Sequence, residues 1–265
     1  MNSKDHAAAV AIIGGTGLNT LSAGDERREV VTPYGDPSGP VVFSRLGDIA
    51  VAFLARHGSP HSIPPHRINY RANIWALKQL GIERVIAVNA VGGINGEMVS
   101  GSLVVPDQLI DYSYGREHTY ADGGDGIALE HIDFSSPFDG DLRRELVAAV
   151  QEVVCTVAGE QRPLVFGEGV YGVTQGPRLE TAAEINRMDR DGCDIVGMTA
   201  MPEAALAREL GMAYASLCLV VNAAAGRSEA KITMEDIHRV TEAGMATIRG
   251  VLAAVVNRLA AEAAC

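Results

Sequence analysis

The segment Arg56-His57-Gly58-Ser59-Pro60-His61-Ser62-Ile63-Pro64-Pro65-His66 gathers a guanidinium, imidazoles and hydroxyls directly behind an apolar run that ends at Leu54. An arginine beside a histidine at such a place makes an oxyanion clamp, because the guanidinium fork matches two oxygens of a phosphate. A metal site is a second reading, with His57, His61 and His66 as ligands. Against it, Gly58, Pro64 and Pro65 prevent the helix that would set His57 and His61 on one face. A plain structured loop is the third.

Two other polar clusters also follow apolar runs. In Gly14-Gly15-Thr16-Gly17 the glycines allow a sharp turn that brings N–H groups toward an anion, with the Thr16 hydroxyl as a further donor; a simple tight loop is the alternative. It is not a dinucleotide fingerprint, since Thr20 occupies the third glycine position counted from Gly15, and it lacks the lysine of a P-loop. In Thr174-Gln175-Gly176-Pro177-Arg178-Leu179-Glu180-Thr181, Glu180 either faces a ligand or favours the start of a helix electrostatically. Met198-Thr199 and Asn222 close further runs, where Thr199 serves as a site hydroxyl or a local turn and Asn222 as a ligand or a cap.

The elements that must position these groups alternate between short β-branched runs and longer helical patterns, the signature of an α/β domain with a mostly parallel sheet. Strands are expected over 8–13, 41–44, 49–54, 85–88 (ending at Asn89), 103–109, 169–174, 194–197 and 213–221. Helices are expected over 68–80 and 141–154, and from near Glu180 and Pro202. Ile237, Val240, Met245, Ile248, Leu252, Val255 and Leu259 recur at roughly helical spacing and mark a long terminal helix with one apolar face. The strands at 41–44 and 49–54 flank Leu46-Gly47-Asp48 and form a hairpin, and 120–128 reads as a surface loop. With no repeat and no evident linker, residues 1–265 are expected to form one domain.

Composition narrows the partners. The 265 residues carry 22 Lys and Arg against 33 Asp and Glu, a net charge of −11 with no basic tract, so nucleic acid and anionic membranes are excluded as expected partners. Any anion site must be a local concentration of donors working against the global field. The four cysteines show no CxxC pairing, which points to a reducing compartment rather than a disulfide framework or zinc site. No signal peptide is read at the start, and no uninterrupted apolar stretch reaches the ~20 residues of a spanning helix. The expectation is a cytoplasmic protein.

Taken together, GGTG, RHG with the following H.I.P, INYRANIWALK.LG, QGPRLETAAE, VGMTAMPEA.LARELG and the strand ending in Asn222 resemble the trimeric nucleoside phosphorylases, which include purine nucleoside phosphorylase and methylthioadenosine phosphorylase. The resemblance covers nearly the whole chain. It implies a single-domain, doubly wound mixed sheet flanked by helices, a homotrimer with sites near subunit interfaces, inorganic phosphate as co-substrate, and no metal or organic cofactor. The phosphate site carries over to Thr16, Arg56, His57, Asn89, Ala90 and Thr199, with Asn89 standing where methylthioadenosine phosphorylase has a hydroxyl residue. Met198 would pack on the ribose, and His131 matches a residue that reaches the neighbouring subunit's 5′ pocket.

The same resemblance bears on the base. Adenine-cleaving relatives carry two acids at the end of the late strand; here the matching residues are Asn222, Ala223 and Ala224. A carboxylate would repel the 6-carbonyl of an oxopurine, whereas the Asn222 carboxamide can donate to it, and Ala224 offers an exocyclic amine no acceptor. Glu180 falls where 6-oxopurine phosphorylases have a base-binding glutamate able to accept N1–H. Leu179 replaces an aromatic stacking residue. In the 5′ pocket Met234 stands where ordinary purine nucleoside phosphorylases have a histidine, and Ile237 shares its helical face, an apolar lining suited to a methylthio group. Asn222, Glu180 and His57 are therefore the expected catalytic residues of a phosphorolysis acting on a 5′-methylthio nucleoside of hypoxanthine.

Overall fold

The computed structural model describes residues 9–14, 26–123, 127–159, 162–229 and 231–263. Its strands in chain order are β1 (Val10–Gly14), β2 (Glu26–Arg28), β3 (Val41–Leu46), β4 (Ile49–Ala55), β5 (Arg84–Gly93), β6 (Leu103–Val104), β7 (Gln108–Asp111), β8 (Val165–Phe166), β9 (Val170–Val173), β10 (Ile195–Gly197) and β11 (Ala213–Ala223). The helices are α1 (Tyr70–Gln79), α2 (Gly140–Thr156), α3 (Ala182–Arg190), α4 (Ala200–Glu209) and α5 (Met234–Ala263). All the strands join one mixed sheet whose main path runs β2-β3-β4-β1-β5-β10-β9-β7, with β11, β6 and β8 branching from β5.

β5 is the hub. Its first half pairs in parallel with β1 on one side and β11 on the other, while Gly92 and Gly93 pair antiparallel with β10. Successive residues of β1 serve opposite cores, which is why the run is continuously apolar rather than alternating. Val10 and Ile12 pack with residues of α2 and α5, and Ala11 and Ile13 with residues of α1 and α4. The result is the helix-flanked, doubly wound sheet expected.

α1 is capped by the Asn69 side chain, which accepts from Ala72 N–H at 3.1 Å, and it ends at a left-handed Gly81. In α5, Met245, Ile248, Val251, Leu252, Val255, Val256 and Leu259 are buried against the sheet and α2. By length and composition Met234–Glu262 is apolar enough to cross a membrane, contrary to the expectation that no segment is. Its apolar face is nevertheless part of the core.

Three expectations need correction. The strand expected to end at Asn89 continues to Gly93. The strand expected over 103–109 is two, because Pro106 has no N–H to give a ladder, and the halves join different neighbours. The surface loop expected from Tyr120 starts inside: Tyr120 is fully buried, donates to the Arg71 carbonyl at 2.9 Å and packs on Tyr34 and Trp75.

Candidate functional site

β1, β4, β5 and β11 run parallel, so Gly14, Ala55, Gly93 and Ala223 end at one edge of the sheet. Crevices outside the carboxyl ends of such strands are where α/β sheets hold ligands. A cleft of about 430 Å³ opens there, and Arg56, His57, Asn89, Ala90, Leu179, Glu180, Met198, Thr199, Asn222, Ala224, Met234 and Ile237 all line it. Ala90 shows how the sheet opens: it is exposed in mid-strand while Asn89 and Val91 beside it are buried. Thr16 lies outside the described residues. Ala223 is not on the cleft wall but behind it, its carbonyl accepting from the Asn222 side chain at 2.7 Å. His131 is exposed and away from the cleft of its own chain.

Arg56 is bound differently from the open fork expected. It is 1 % exposed, and its Nε and Nη2 donate to Glu203 Oε2 and Oε1 at 2.8 and 2.9 Å, while Glu203 is wholly buried and also accepts from Tyr214 at 2.9 Å. Nη2 and Nη1 give further bonds to the carbonyls of Ile13 and Val88. Of the five N–H groups of a guanidinium, one on Nη1 remains for the cleft. The pair is neutral overall, so Arg56 presents a single rigid donor rather than a bidentate clamp.

His57 follows in a tight loop turned by Gly58 at φ +77°. Its Nδ1 lies 2.8 Å from the Ile63 carbonyl, which can only accept, so Nδ1 carries the proton and Nε2 is free. Burial first, then the charge of Arg56, pushes its pKa down to about 4. The ring is therefore neutral at pH 7, with Nε2 an acceptor. His61 stacks on it with centroids 4.3 Å apart and planes 16° apart, a ring contact rather than a convergence of ligand lone pairs.

Thr199 precedes α4 without capping it; its hydroxyl donates to Asn89 Oδ1 at 3.4 Å, and Asn89 Nδ2 donates to Ser216 at 2.7 Å. Asn89 is thus held in the floor by groups on β11 and the β10–α4 connection. Arg116, unmarked in the sequence, fastens the other wall: Nη1 donates to the Met198 carbonyl at 2.8 Å and Nη2 to those of Thr174 and Gln175 at 3.0 and 2.9 Å. Gly176, at φ +61°, fits against the Met198 thioether so closely that a Cβ there would overlap the sulfur.

The residues expected to face a base meet across the cleft from two elements. α3 begins at Ala182 behind a capping box formed by Thr181 and Glu184, so Glu184 and not Glu180 supplies the first-turn acid. Glu180 is left in the loop before it, accepting from the Thr174 hydroxyl at 2.6 Å and facing the cleft. Asn222 stands at an irregularity in the β5–β11 ladder between Val220 and Asn222, a break that re-aims the side chain. The paired strand is closely packed here: a Cβ on Gly92 would press on the Val196 side chain at 3.2 Å, and one on Gly93 would collide with the Met98 carbonyl. Ala224 is buried among Ile94, Ile185, Met188 and Val196, leaving an apolar end to this wall.

Met234 and Ile237 come from the first turn of α5, where the Thr233 hydroxyl accepts from Asp236 N–H at 3.2 Å. Met234 is 62 % exposed and Leu179 43 %, two large apolar groups at the mouth with unfilled space beside them. A second cavity of about 460 Å³ lies behind the Gly176–Arg178 loop and shares Glu180 with the cleft. Its arginines are paired, Arg178 with Glu184 at 2.8 Å and Arg187 with Asp191 at 3.6 Å. The donors suited to an anion are in the first cleft.

Sequence reasoning missed Glu203, Tyr214, Arg116, Ser216 and Thr174, and weighed His61 only as a metal ligand. Glu203 and Thr174 lay inside the motifs, but only the fold shows what each one faces.

Residues 9–257 match the model of the phosphorylase superfamily. A probable S-methyl-5′-thioinosine phosphorylase of Pseudomonas syringae pv. tomato is 53% identical over 252 residues, covering 93% of this chain and 98% of that protein. The 6-oxopurine nucleoside phosphorylase of Pyrococcus furiosus is 45% identical over 233 residues, 86% of this chain and 84% of that one. Among solved structures, methylthioadenosine phosphorylase from Schistosoma mansoni in complex with adenine superposes with a TM-score of 0.89 at 34% identity, covering 96% of this chain and 92% of that one. With family model, relatives and architecture in agreement over almost its full length, the chain belongs to the phosphorylase superfamily.

Proposed function

We propose that the protein cleaves S-methyl-5′-thioinosine with inorganic phosphate, giving hypoxanthine and 5-methylthioribose 1-phosphate. The observation that carries this reading is the grouping, in one cleft, of Glu180 and Asn222 with the apolar Met234 and Ile237. An oxopurine edge and a methylthio group call for those two linings. The names of the Pseudomonas and Pyrococcus relatives support a 6-oxopurine base and, for the first, the methylthio substituent.

In the mechanism proposed, phosphate lies between Arg56, His57 and Thr199. Neutral His57 accepts through Nε2 from a protonated phosphate oxygen, Arg56 donates its remaining N–H, and the Thr199 hydroxyl turns from its long bond to Asn89 toward the anion. Thr16 belongs to the same set by resemblance. The bound anion then faces C1′ as the glycosidic bond lengthens and positive charge develops on the sugar, which its own charge stabilises. Met198 packs on the ribose. As a phosphate oxygen bonds to C1′ and the C1′–N9 bond breaks, the purine leaves with negative charge spread onto it, Asn222 donating through the N–H not given to Ala223 and Glu180 accepting N1–H, and the proton the phosphate gives up completes it as hypoxanthine. Phosphate is a co-substrate, and no metal or organic cofactor enters.

A homotrimer completes the cleft in this reading. Exposed Met234 and Leu179 at the mouth leave space for a neighbouring subunit, and exposed His131 is free to reach a neighbour's 5′ pocket. The proposed setting is the cytoplasm. Initial rates on methylthioinosine, methylthioadenosine and inosine test the substrate: methylthioinosine is expected to give the highest kcat/KM. A preference for the adenine nucleoside would overturn the roles of Glu180 and Asn222, and equal rates on inosine would make the protein a general 6-oxopurine nucleoside phosphorylase.

A further inference from the structure

We propose that Thr174 determines base specificity by positioning Glu180, without touching the substrate. The inference rests on the reading above that Glu180 binds the purine edge. Thr174 follows β9 and its backbone is fixed on both sides: its N–H donates to the Gly197 carbonyl at 2.8 Å, and its carbonyl accepts from Arg116 Nη2 at 3.0 Å. Its hydroxyl lies 2.6 Å from Glu180 Oε1 and 3.3 Å from the Gly197 carbonyl. A hydroxyl has one hydrogen to give, and the Gly197 oxygen already holds the Thr174 N–H. The short distance, in the range of charge-assisted O–H···O bonds, assigns the hydrogen to the carboxylate.

Thr174 lines the cavity behind the Gly176–Arg178 loop and not the substrate cleft, whereas Glu180 lines both. The hydroxyl therefore grips the carboxylate from the far side. Oε1 is held, and Oε2, which has no hydrogen bond among the described residues, is left to accept a purine N1–H. Glu180 sits in a loop, outside any helix or strand, and the Thr174 bond is its side chain's hydrogen bond among the described residues. Without that bond the glutamate regains rotamers that point Oε2 away from the base. Discrimination that depends on a placed acceptor weakens with its placement.

Thr174→Val keeps the shape and removes the hydroxyl; Thr174→Ser keeps the hydroxyl. Both are measured in the full-length enzyme, alone and with Glu180→Gln, for kcat/KM on methylthioinosine and methylthioadenosine and for the KM of phosphate. Thr174→Val is expected to lower kcat/KM for methylthioinosine roughly 10-fold, to narrow its preference over methylthioadenosine by the same factor, and to leave the phosphate KM unchanged. Thr174→Ser is expected to restore the preference, and Thr174→Val to add less than about 2-fold on the Glu180→Gln background, since both act on one contact. If Glu180→Gln collapses the preference while Thr174→Val keeps it, the positioning role is wrong and the base reading stands. If Glu180→Gln also keeps it, the base reading falls as well. A Thr174→Val enzyme equally weakened toward both nucleosides and phosphate would show a structural role only and overturn the proposal.

Discussion

Replacing Arg56 by Ala removes two things at once, and the structure separates their sizes. Glu203 is 0 % exposed and holds Arg56 through paired 2.8 and 2.9 Å bonds. Deleting the arginine leaves that carboxylate buried and unpaired, a loss of about 3–5 kcal/mol in stability. At ~2–4 °C per kcal/mol for a chain of this size, melting should fall by roughly 6–20 °C. The loss of one charge-assisted donor to phosphate, about 1.5–3 kcal/mol, is masked by the unfolding. The double variant Arg56→Met, Glu203→Gln disentangles them. It leaves no unpaired charge, and the carboxamide still accepts from Tyr214. Thermal unfolding of the double variant should return to within about 2 kcal/mol of the unmodified protein, while kcat/KM for phosphate stays at least ~10-fold down. A stable single Arg56→Ala variant would refute the buried pair. A double variant with normal phosphate kinetics would refute Arg56 as a phosphate donor.

The other predictions concern base, sugar and acid. Asn222→Asp with Ala224→Asp should shift preference toward methylthioadenosine in a substrate panel, by up to about 10⁴-fold in the ratio, with a lower melting temperature because Ala224 packs among Ile94, Ile185 and Met188. Methylthioinosine should exceed inosine in kcat/KM by about 10- to 200-fold, as apolar pockets reject hydroxyl analogues weakly, and Met234→His should narrow that gap. The folded His57 pKa of about 4 lies below its unfolded value, so the unfolded chain binds more protons as pH falls from about 6.5 toward 4 and stability drops across that window. His57→Gln should lose less stability over it in thermal melts.

The sheet was legible because its strands are continuous apolar runs serving two cores, as Ile12 and Ile13 do. Glu26–Arg28 was not, since three charged residues at an edge carry no apolar period. Most of the cleft was legible too, from motifs that end strands at one sheet edge. Contacts made at long range were not: Arg56 meets Glu203 across 147 residues and Arg116 meets Met198 across 82. Arg56 read alone promised a free fork, and only the burial of Glu203 beneath it shows that the fork is already occupied.

Phosphorolysis is proposed to take place at the Arg56–His57–Thr199 end of the cleft. Its most direct test follows methylthioinosine turnover with and without phosphate and identifies the sugar product by mass. The expected result is 5-methylthioribose 1-phosphate formed one-for-one with hypoxanthine, and no base release in phosphate-free buffer. Hypoxanthine released at the same rate without phosphate, alongside free methylthioribose, would contradict it and make the protein a hydrolase.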